Sequence, residues 1–550
     1  MTTADQTITD GNKGGMQKLL DGIEKMGNKV PHPVLMFLYL IIFIIILSHI
    51  LYLAGVSVTE LIAVPAPIDV ELDYYEDTTA PGIIAPEETY EPDYTIEERT
   101  IAINSLLTVE GIRFIFTSFV TNFQGFGVVA VTFIAIMGAG VAESAGMMSA
   151  LIRKLVKVAP RRLITFFIVF VGVISSVASD AGYLILIPLG AAAFVSLRRH
   201  PLAGMAAAFA GVATAFGANI IFTPIDSMLT EITNEAIGLT SGEPITLAAN
   251  FFFTFASTFV LAIAATWVTE KIVEPRLGKY DFDSMDADYA ESGDADEFTP
   301  EETRGMRYAL FATLGVIALV LILTLPPGAP LRSPAGYEGN SPLMDSLLFI
   351  ITMTFLIAGV AYGKGAGTIK NSNDVINGVT KTFSGLAGLV FMLLMIAQFI
   401  AYFNFTNMPT VLAISMAEVL ERANIGALPL LLGLILVIVI LNIIIPGVVP
   451  KWAIFAPVFI PIFFRLGVAP QTVLAAYRVG DSPFNVITPL MVYLPFVVTV
   501  AQRYQKESGL GTIVALMLPY SILVLIAWVL FFILWFVLGI PLGPGYPVGA

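Results

Sequence analysis

The chain has no cysteine and only three scattered histidines, His32, His49 and His200, in 550 residues. Disulfides, thiolate metal sites and cysteine nucleophiles are thereby excluded, and the histidines offer no metal-ligand spacing. Charge is scarce as well: 13% of residues are Asp, Glu, Lys or Arg, and the net charge of -14 comes from acids gathered in two tracts. Nothing resembles the basic stripe that binds nucleic acid. A Walker-type phosphate loop is missing, since GVAYGKGAG at 359–367 lacks the spacing and follows no strand. No nucleophile, base and orienting group assemble from motifs, so the chain does not read as an enzyme. The polar N-terminus is too long and acidic for the charged start of a signal peptide, which makes the first apolar run a span.

What the sequence has in excess is apolar length. With 57% hydrophobic residues, many runs reach the length of about 20 residues that crosses a bilayer. The fold class is an all-α polytopic membrane protein. Lys and Arg beside the spans mark the cytoplasmic side, and they divide the chain as follows. Residues 1–32 form a cytoplasmic segment with Lys13, Lys18, Lys25 and Lys29. Residues 33–270 form a first membrane half, with an external acidic loop at 55–110. An acidic cytoplasmic linker, 271–304, leads to a second half, 305–550. The run at 163–197 starts after Arg161 and Arg162 and ends at Arg198 and Arg199, so it reads as a re-entrant hairpin. The run at 429–464 breaks at Pro446 to Lys451 and reads as a second hairpin opening the opposite way. This parity gives about nine spans besides the hairpins, an internal N-terminus and an external C-terminus.

A faint repeat supports the drawing. Pro188 and Pro201 have the separation of Pro457 and Pro470, and each pair is followed by a Thr-Pro, at Thr223-Pro224 and Thr488-Pro489. In that register Tyr183 corresponds to Trp452, and Asn219 lies near the counterpart of Asn485. Inverted repeats with broken helices are a common plan of secondary transporters, whose sites lie where the breaks meet. Two half-sites on opposed hairpins suit alternating access better than a continuous channel.

Several polar residues then stand out because charge at membrane depth demands a partner. Arg478 and Asp481 lie one turn apart in RVGDSPFNVITP (478–489), on one helical face. They read as a site, as a self-neutralising structural pair, or, for Asp481, as a helix N-cap. Asn442 is either a neutral oxygen donor for a hard cation or a helix-to-helix hydrogen bond. Asp180, in SSVASDAG, either caps a hairpin tip or holds a cation or proton, among small residues that let two arms pack closely. Trp452 reads as an interfacial anchor or as a ring that stacks on an aromatic substrate. Pro489 and Pro224 shape backbone breaks.

These motifs resemble the p-aminobenzoyl-glutamate transporter (AbgT) family of secondary transporters and antimetabolite exporters. The likeness runs through GNKVPHP (27–33), ASDAGYLILIPLGA (178–191), GANIIFTPIDSMLTEIT (217–233), VEPRLGKY (273–280), PKWAIFAPVFIPIF (450–463) and RVGDSPFNVITP. It implies a homodimer in a prokaryotic inner membrane, with nine spans, two hairpins and a substrate route through a core domain. By the same resemblance Asp180, Trp452, Arg478, Asp481 and Pro489 are transport positions, and Asn442 with Asp481 would hold sodium. Asn219 and Asn485 join them as repeat counterparts. No cofactor is expected beyond a bound Na+. The expected substrate is p-aminobenzoyl-glutamate or a related aromatic carboxylate or sulfonamide, with ion-coupled transport. A sodium-coupled importer of di- or tricarboxylates is the competing reading. One departure is that Val449-Pro450 stands where family members tend to carry serine, which removes a hydroxyl from that tip.

Overall fold

Two short helices without a single exposed residue form the centre of the molecule. In the computed structural model, which describes residues 33–65, 94–178, 182–282, 299–333, 341–422, 426–442, 445, 447–488 and 491–549, every residue of Pro201–Thr214 and of Pro470–Asp481 is buried. We number the helices that matter here in chain order: α1 Pro33–Leu53, α2 Val109–Gln124, α3 Val128–Ser144, α4 Met147–Lys157, α5 Ile164–Ile174, α6 Ile187–Ser196, α7 Pro201–Thr214, α8 Pro224–Ile237 and α9 Phe251–Val268. The second half continues with α10 Pro300–Thr324, α11 Leu347–Ala366, α12 Ser372–Gly385, α13 Ala387–Phe405, α14 Met408–Arg422, α15 Ala427–Asn442, α16 Val448–Arg465, α17 Pro470–Asp481, α18 Leu494–Tyr504 and α19 Leu510–Val537.

The two halves repeat one packing device. Helix α7 lies between α5 and α6, and α17 lies between α15 and α16, so each central helix separates the arms of the helix pair that precedes it. Both central helices start with a proline, Pro201 and Pro470, where the missing N–H is harmless and the fixed φ suits a first turn. Both are followed by non-helical residues, 215–223 in the first half and 482–488 with 491–493 in the second, before another helical segment. This is a repeat of the kind that the spacing of the prolines suggested. The small residues pack the arms against the central helix as well as against each other: Gly182 of one arm lies so close to Ser175 of the other that a Cβ there would strike its side chain. Gly172 meets Gly211, and Gly190 meets Gly204, so closely that a Cβ on any of the four would strike backbone. In the second half, Gly480 fits against Ile435 and Ile438 in the same way. Close approach of this kind is how helices associate where no hydrophobic force distinguishes helix from lipid.

Among the described residues eight helices are long and apolar enough to cross a membrane, or nine if the pair Met147–Lys157 and Arg161–Val177, bent by 108°, is one span. The expected total agrees, but its parts differ. The first broken helix resumes at Pro224 and continues to Ile237, because a capping box at Thr223 and Asp226 starts a new helix there. The second crossing is likewise interrupted between Asp481 and Leu494. Outside the core, α10 packs on α11 and α11 on α3, while α10 is only 11% buried along its apolar window, as suits a helix that faces lipid.

The acidic loop holds an unexpected ribbon, β1 Ser57–Pro65 paired antiparallel with β2 Tyr94–Ala102 in register Ser57↔Ala102. An all-helical reading missed it because its β-branched runs are short beside the apolar spans. The rest of that loop, 66–93, lies outside the described residues, as do 283–298 of the acidic linker.

Candidate functional site

The breaks of the two halves meet around one cavity of about 400 Å³. Ser176 and Tyr183 come from the first helix pair, and Phe216, Pro224, Ile225 and Met228 from the first broken helix. Gly447, Val448 and Val449 come from the tip of the second pair, and Asn485, Thr488, Met491 and Tyr493 from the second break. Gly447 has φ +87°, a backbone state that glycine alone adopts without strain, and it turns the chain into α16. Tyr183 stacks on Tyr493 with ring centroids 4.3 Å apart, which joins the two halves across the cavity. The volume suits a small aromatic molecule, and among the described residues the wall carries no charged side chain.

Behind this wall lie two ion pairs. Arg478 and Asp481 do not pair with each other, which corrects the one-turn reading. The Arg478 guanidinium reaches into the other half, where Nη1 donates to Asp226 Oδ1 at 2.5 Å and lies 3.4 Å from the Gly217 carbonyl. Asp226 is ready for it: its Oδ2 accepts from the Thr223 backbone and hydroxyl, both at 2.7 Å, leaving Oδ1 for the arginine. A carboxylate held by a cap is a better partner than one on the same helix, where Asp481 is drawn elsewhere.

Asp481 takes its cation from α16. Lys451 Nζ lies 2.7 Å from Asp481 Oδ1, and the two side chains are 0% and 1% exposed. Asp481 is the last residue of α17, so it is no helix N-cap; at a helix C-terminus its charge is disfavoured and needs the ammonium. Tyr477 donates to the Val448 carbonyl at 2.5 Å and also lies 3.2 Å from Asp481 Oδ1. Asn442 bridges the cluster. Its Oδ1 accepts from Lys451 Nζ, and its Nδ2 donates to the Asp481 carbonyl and, at 3.0 Å, to Asn485 Oδ1. The two side-chain oxygens expected to hold sodium are therefore both on the Lys451 ammonium. A sodium ion could use them only after Lys451 moved. Among the described residues, Asp481 Oδ2 is buried without a hydrogen-bond partner, as is Arg478 Nε.

The remaining expected residues divide between wall and frame. Asn485 lines the cavity, and Asn219 ties the first break to the first helix pair, donating to Ser176 Oγ at 2.7 Å and accepting from the Ile221 N–H at 3.1 Å. Trp452 is fully buried, its indole N–H donating to Thr233 Oγ1 at 2.9 Å and its ring 4.5 Å from that of Tyr477. It braces α16 against α8 and is no interfacial anchor. Asp180 and Pro489 lie outside the described residues. Sequence reasoning quoted Asp226 and Lys451 within motifs but gave them no role. The signal was there: each is a charge in an apolar stretch, and each must find a partner of opposite sign.

Comparison with known proteins identifies the family and the fold. The profile described as the AbgT putative transporter family matches residues 18–549. A curated relative, the p-aminobenzoyl-glutamate transport protein of Escherichia coli (strain K12), is 30% identical over 537 residues, 96% of this chain and 97% of its own. Two solved structures are similar along nearly the whole chain. The YdaH transporter of Alcanivorax borkumensis is 33% identical with a TM-score of 0.80, covering 94% of this chain and 100% of its own. MtrF of Neisseria gonorrhoeae, described with a class of antimetabolite efflux pumps, is 36% identical with a TM-score of 0.83, covering 96% and 100%. The competing di- or tricarboxylate reading finds no support in these relatives. A helical, multi-pass chain with two paired-helix motifs, two broken helices and one cavity between them, matched from residue 18 to 549, belongs to the AbgT family of membrane transporters.

Proposed function

We propose that this chain moves p-aminobenzoyl-glutamate, related aromatic carboxylates or folate-pathway antimetabolites such as sulfonamides across a prokaryotic inner membrane, by ion-coupled alternating access. The observation that carries the reading is the cavity walled by both halves of the repeat, with aromatic rings from each half, Tyr183 and Tyr493, and polar groups at Ser176, Asn485 and Thr488. An aryl ring fits against the tyrosines and Phe216, and an amide or sulfonyl group has hydroxyl and amide partners. The printed names of the Escherichia coli and Neisseria gonorrhoeae relatives support the substrate class. The coupling ion is sodium or a proton, with Asp481 and Asn442 as its station and Asp180 as a second acidic candidate.

The two helix pairs re-enter from opposite faces in this proposal, the N-terminus is cytoplasmic, the C-terminus is external, and the chain works as a homodimer. The decisive experiment is uptake and efflux in vesicles of p-aminobenzoyl-glutamate and a sulfonamide, each with and without a sodium or proton gradient. Saturable flux that follows one gradient supports the reading; flux that neither saturates nor responds to either ion sinks it. Orientation is checked in this cysteine-free chain by an impermeant thiol reagent on intact cells, which should label a cysteine at Glu110 and spare one at Ser372. The mass of the detergent-solubilised protein checks the dimer.

A further inference from the structure

An anionic substrate in the cavity needs a counter-charge, because an unpaired carboxylate away from water is strongly disfavoured. Among the described residues the wall supplies none. Arg478 does not line the cavity, and its Nη1 is held by Asp226 at 2.5 Å, in the contact that joins the two halves. Among the described residues the remaining buried cation is Lys451, and it sits next to the wall. Val448 and Val449, on the same first turn of α16, line the cavity, and Lys451 contacts it indirectly through Asn442 and Asn485.

We propose that the Lys451 ammonium is the carboxylate-binding group of this transporter, held on Asp481 and Asn442 until a cation replaces it on those oxygens. The proposal rests on reading the cavity as the site of an aromatic carboxylate. Its physical basis is charge balance. With Lys451 on Asp481 the cluster is neutral and the cavity offers nothing to an anion. When a sodium ion occupies Asp481 and the Asn442 oxygen, the pair of cations exceeds the single carboxylate, and the surplus positive charge lies on a flexible four-carbon stem beside the cavity. One substrate carboxylate restores neutrality at this cluster; p-aminobenzoyl-glutamate carries two, and the proposal concerns the one that meets Lys451. Asp481 already has an oxygen, Oδ2, buried without a partner, so a cation can begin to bind before the ammonium has left Oδ1. Sodium and substrate then favour each other by the same factor, on the order of 5- to 150-fold. The lysine serves as a built-in competitor of sodium and as the ligand of the substrate, in alternation.

Binding to the full-length protein in nanodiscs at fixed pH tests this, with p-aminobenzoyl-glutamate, its neutral analogue p-aminobenzamide, and radioactive sodium as probes. In the unsubstituted protein sodium should strengthen p-aminobenzoyl-glutamate binding by a factor in that range and leave the amide unchanged. Asp481→Asn sets the ammonium free, so it should bind p-aminobenzoyl-glutamate without sodium. Lys451→Met should bind sodium more tightly, having lost the competitor, and should lose p-aminobenzoyl-glutamate while keeping the amide. If Lys451→Met leaves a buried carboxylate that prevents folding, the neutral double variant Lys451→Met/Asp481→Asn serves instead: it should keep the amide and lose the anionic ligand that Asp481→Asn alone retains. Wild-type binding of p-aminobenzoyl-glutamate by either lysine variant overturns the proposal. Should the unsubstituted protein bind neither aromatic probe, the proposed substrate fails on its own. The sodium comparison still decides the lysine's part, since an affinity unchanged in Lys451→Met overturns it and a tighter one upholds it.

Discussion

Asp226→Asn is the sharpest test of the join between the two halves. The substitution keeps the size of the side chain and an oxygen to accept from Thr223, so the helix cap of α8 can persist, while the negative charge that faces Arg478 disappears. The arginine is 4% exposed and its partner 13%, so the guanidinium is left with no solvent to replace the carboxylate. Removing one member of a buried pair costs about 3–5 kcal/mol, mostly for the charge left behind. Loss of the cap is milder, about 1 kcal/mol, and Thr223→Ala, which deletes the hydroxyl that accepts from the Asp226 N–H at 3.2 Å and donates to Asp226 Oδ2, measures it with the charge pair left in place. The measurement is unfolding of the purified protein in detergent, by heat or by graded denaturing detergent, for the two single variants and for Asp226→Asn combined with Arg478→Met. Asp226→Asn should be much less stable than Thr223→Ala, and the neutral double variant should recover most of the difference. Equal effects of the two single variants would refute the argument, because the pair would then contribute nothing beyond the cap.

Three further outcomes are expected. Gly204→Ala, whose Cβ would strike the Gly190 carbonyl and the Phe194 ring, should destabilise the fold by about 1–3 kcal/mol or more, read as a lower unfolding midpoint. His200 accepts from the Leu202 N–H at the start of α7, and burial lowers its pKa, an effect that Glu274 only partly offsets. The native state thus binds fewer protons than the unfolded one, and stability should fall as pH drops from about 6.5 through the lowered native value; His200→Asn, which keeps an acceptor, should flatten that part of the profile. Trp452→Phe should weaken stability by about 1 kcal/mol through loss of the bond to Thr233. It should leave substrate affinity unchanged, whereas a tryptophan that stacked on substrate would lower affinity when replaced.

Much of this architecture is legible in the sequence, because lipid imposes a narrow grammar: apolar length gives spans, basic flanks give sidedness, and proline with glycine marks breaks. Pro201 and Pro470 show how far that goes. Their spacing to Pro188 and Pro457 suggests a repeat, and both turn out to begin a fully buried helix. What the grammar does not contain is which helix lies between which. Nothing in the run of small residues at 172–211 says whether hairpin arms touch each other or grip the next helix, since Gly and Ala permit either contact. The helix that runs to Ile237 is hard to read for a different reason: Ser227, Thr230, Glu231, Thr233, Asn234 and Glu235 have loop composition, and only the capping box before them signals a helix.

The site shows the same division more sharply. Besides His200, the charged residues buried in the described structure are Asp226, Lys451, Arg478 and Asp481, two acids and two bases. That balance follows from the sequence alone, since each lies in an apolar setting and an unmatched charge there is strongly disfavoured. The pairing does not follow. Arg478 and Asp481 are three residues apart and could meet on one helix, yet neutrality is equally satisfied when each crosses to another. The choice is made by packing. With α17 held between α15 and α16, Asp481 at its end is delivered to the first turn of α16, where Lys451 waits, and Arg478 one turn earlier is delivered to the capped carboxylate of α8. One pair therefore lies within the second half and the other joins the halves. A motion that shifts one half against the other must carry the Arg478–Asp226 contact with it or break it, while the Lys451–Asp481 pair can open without disturbing that join.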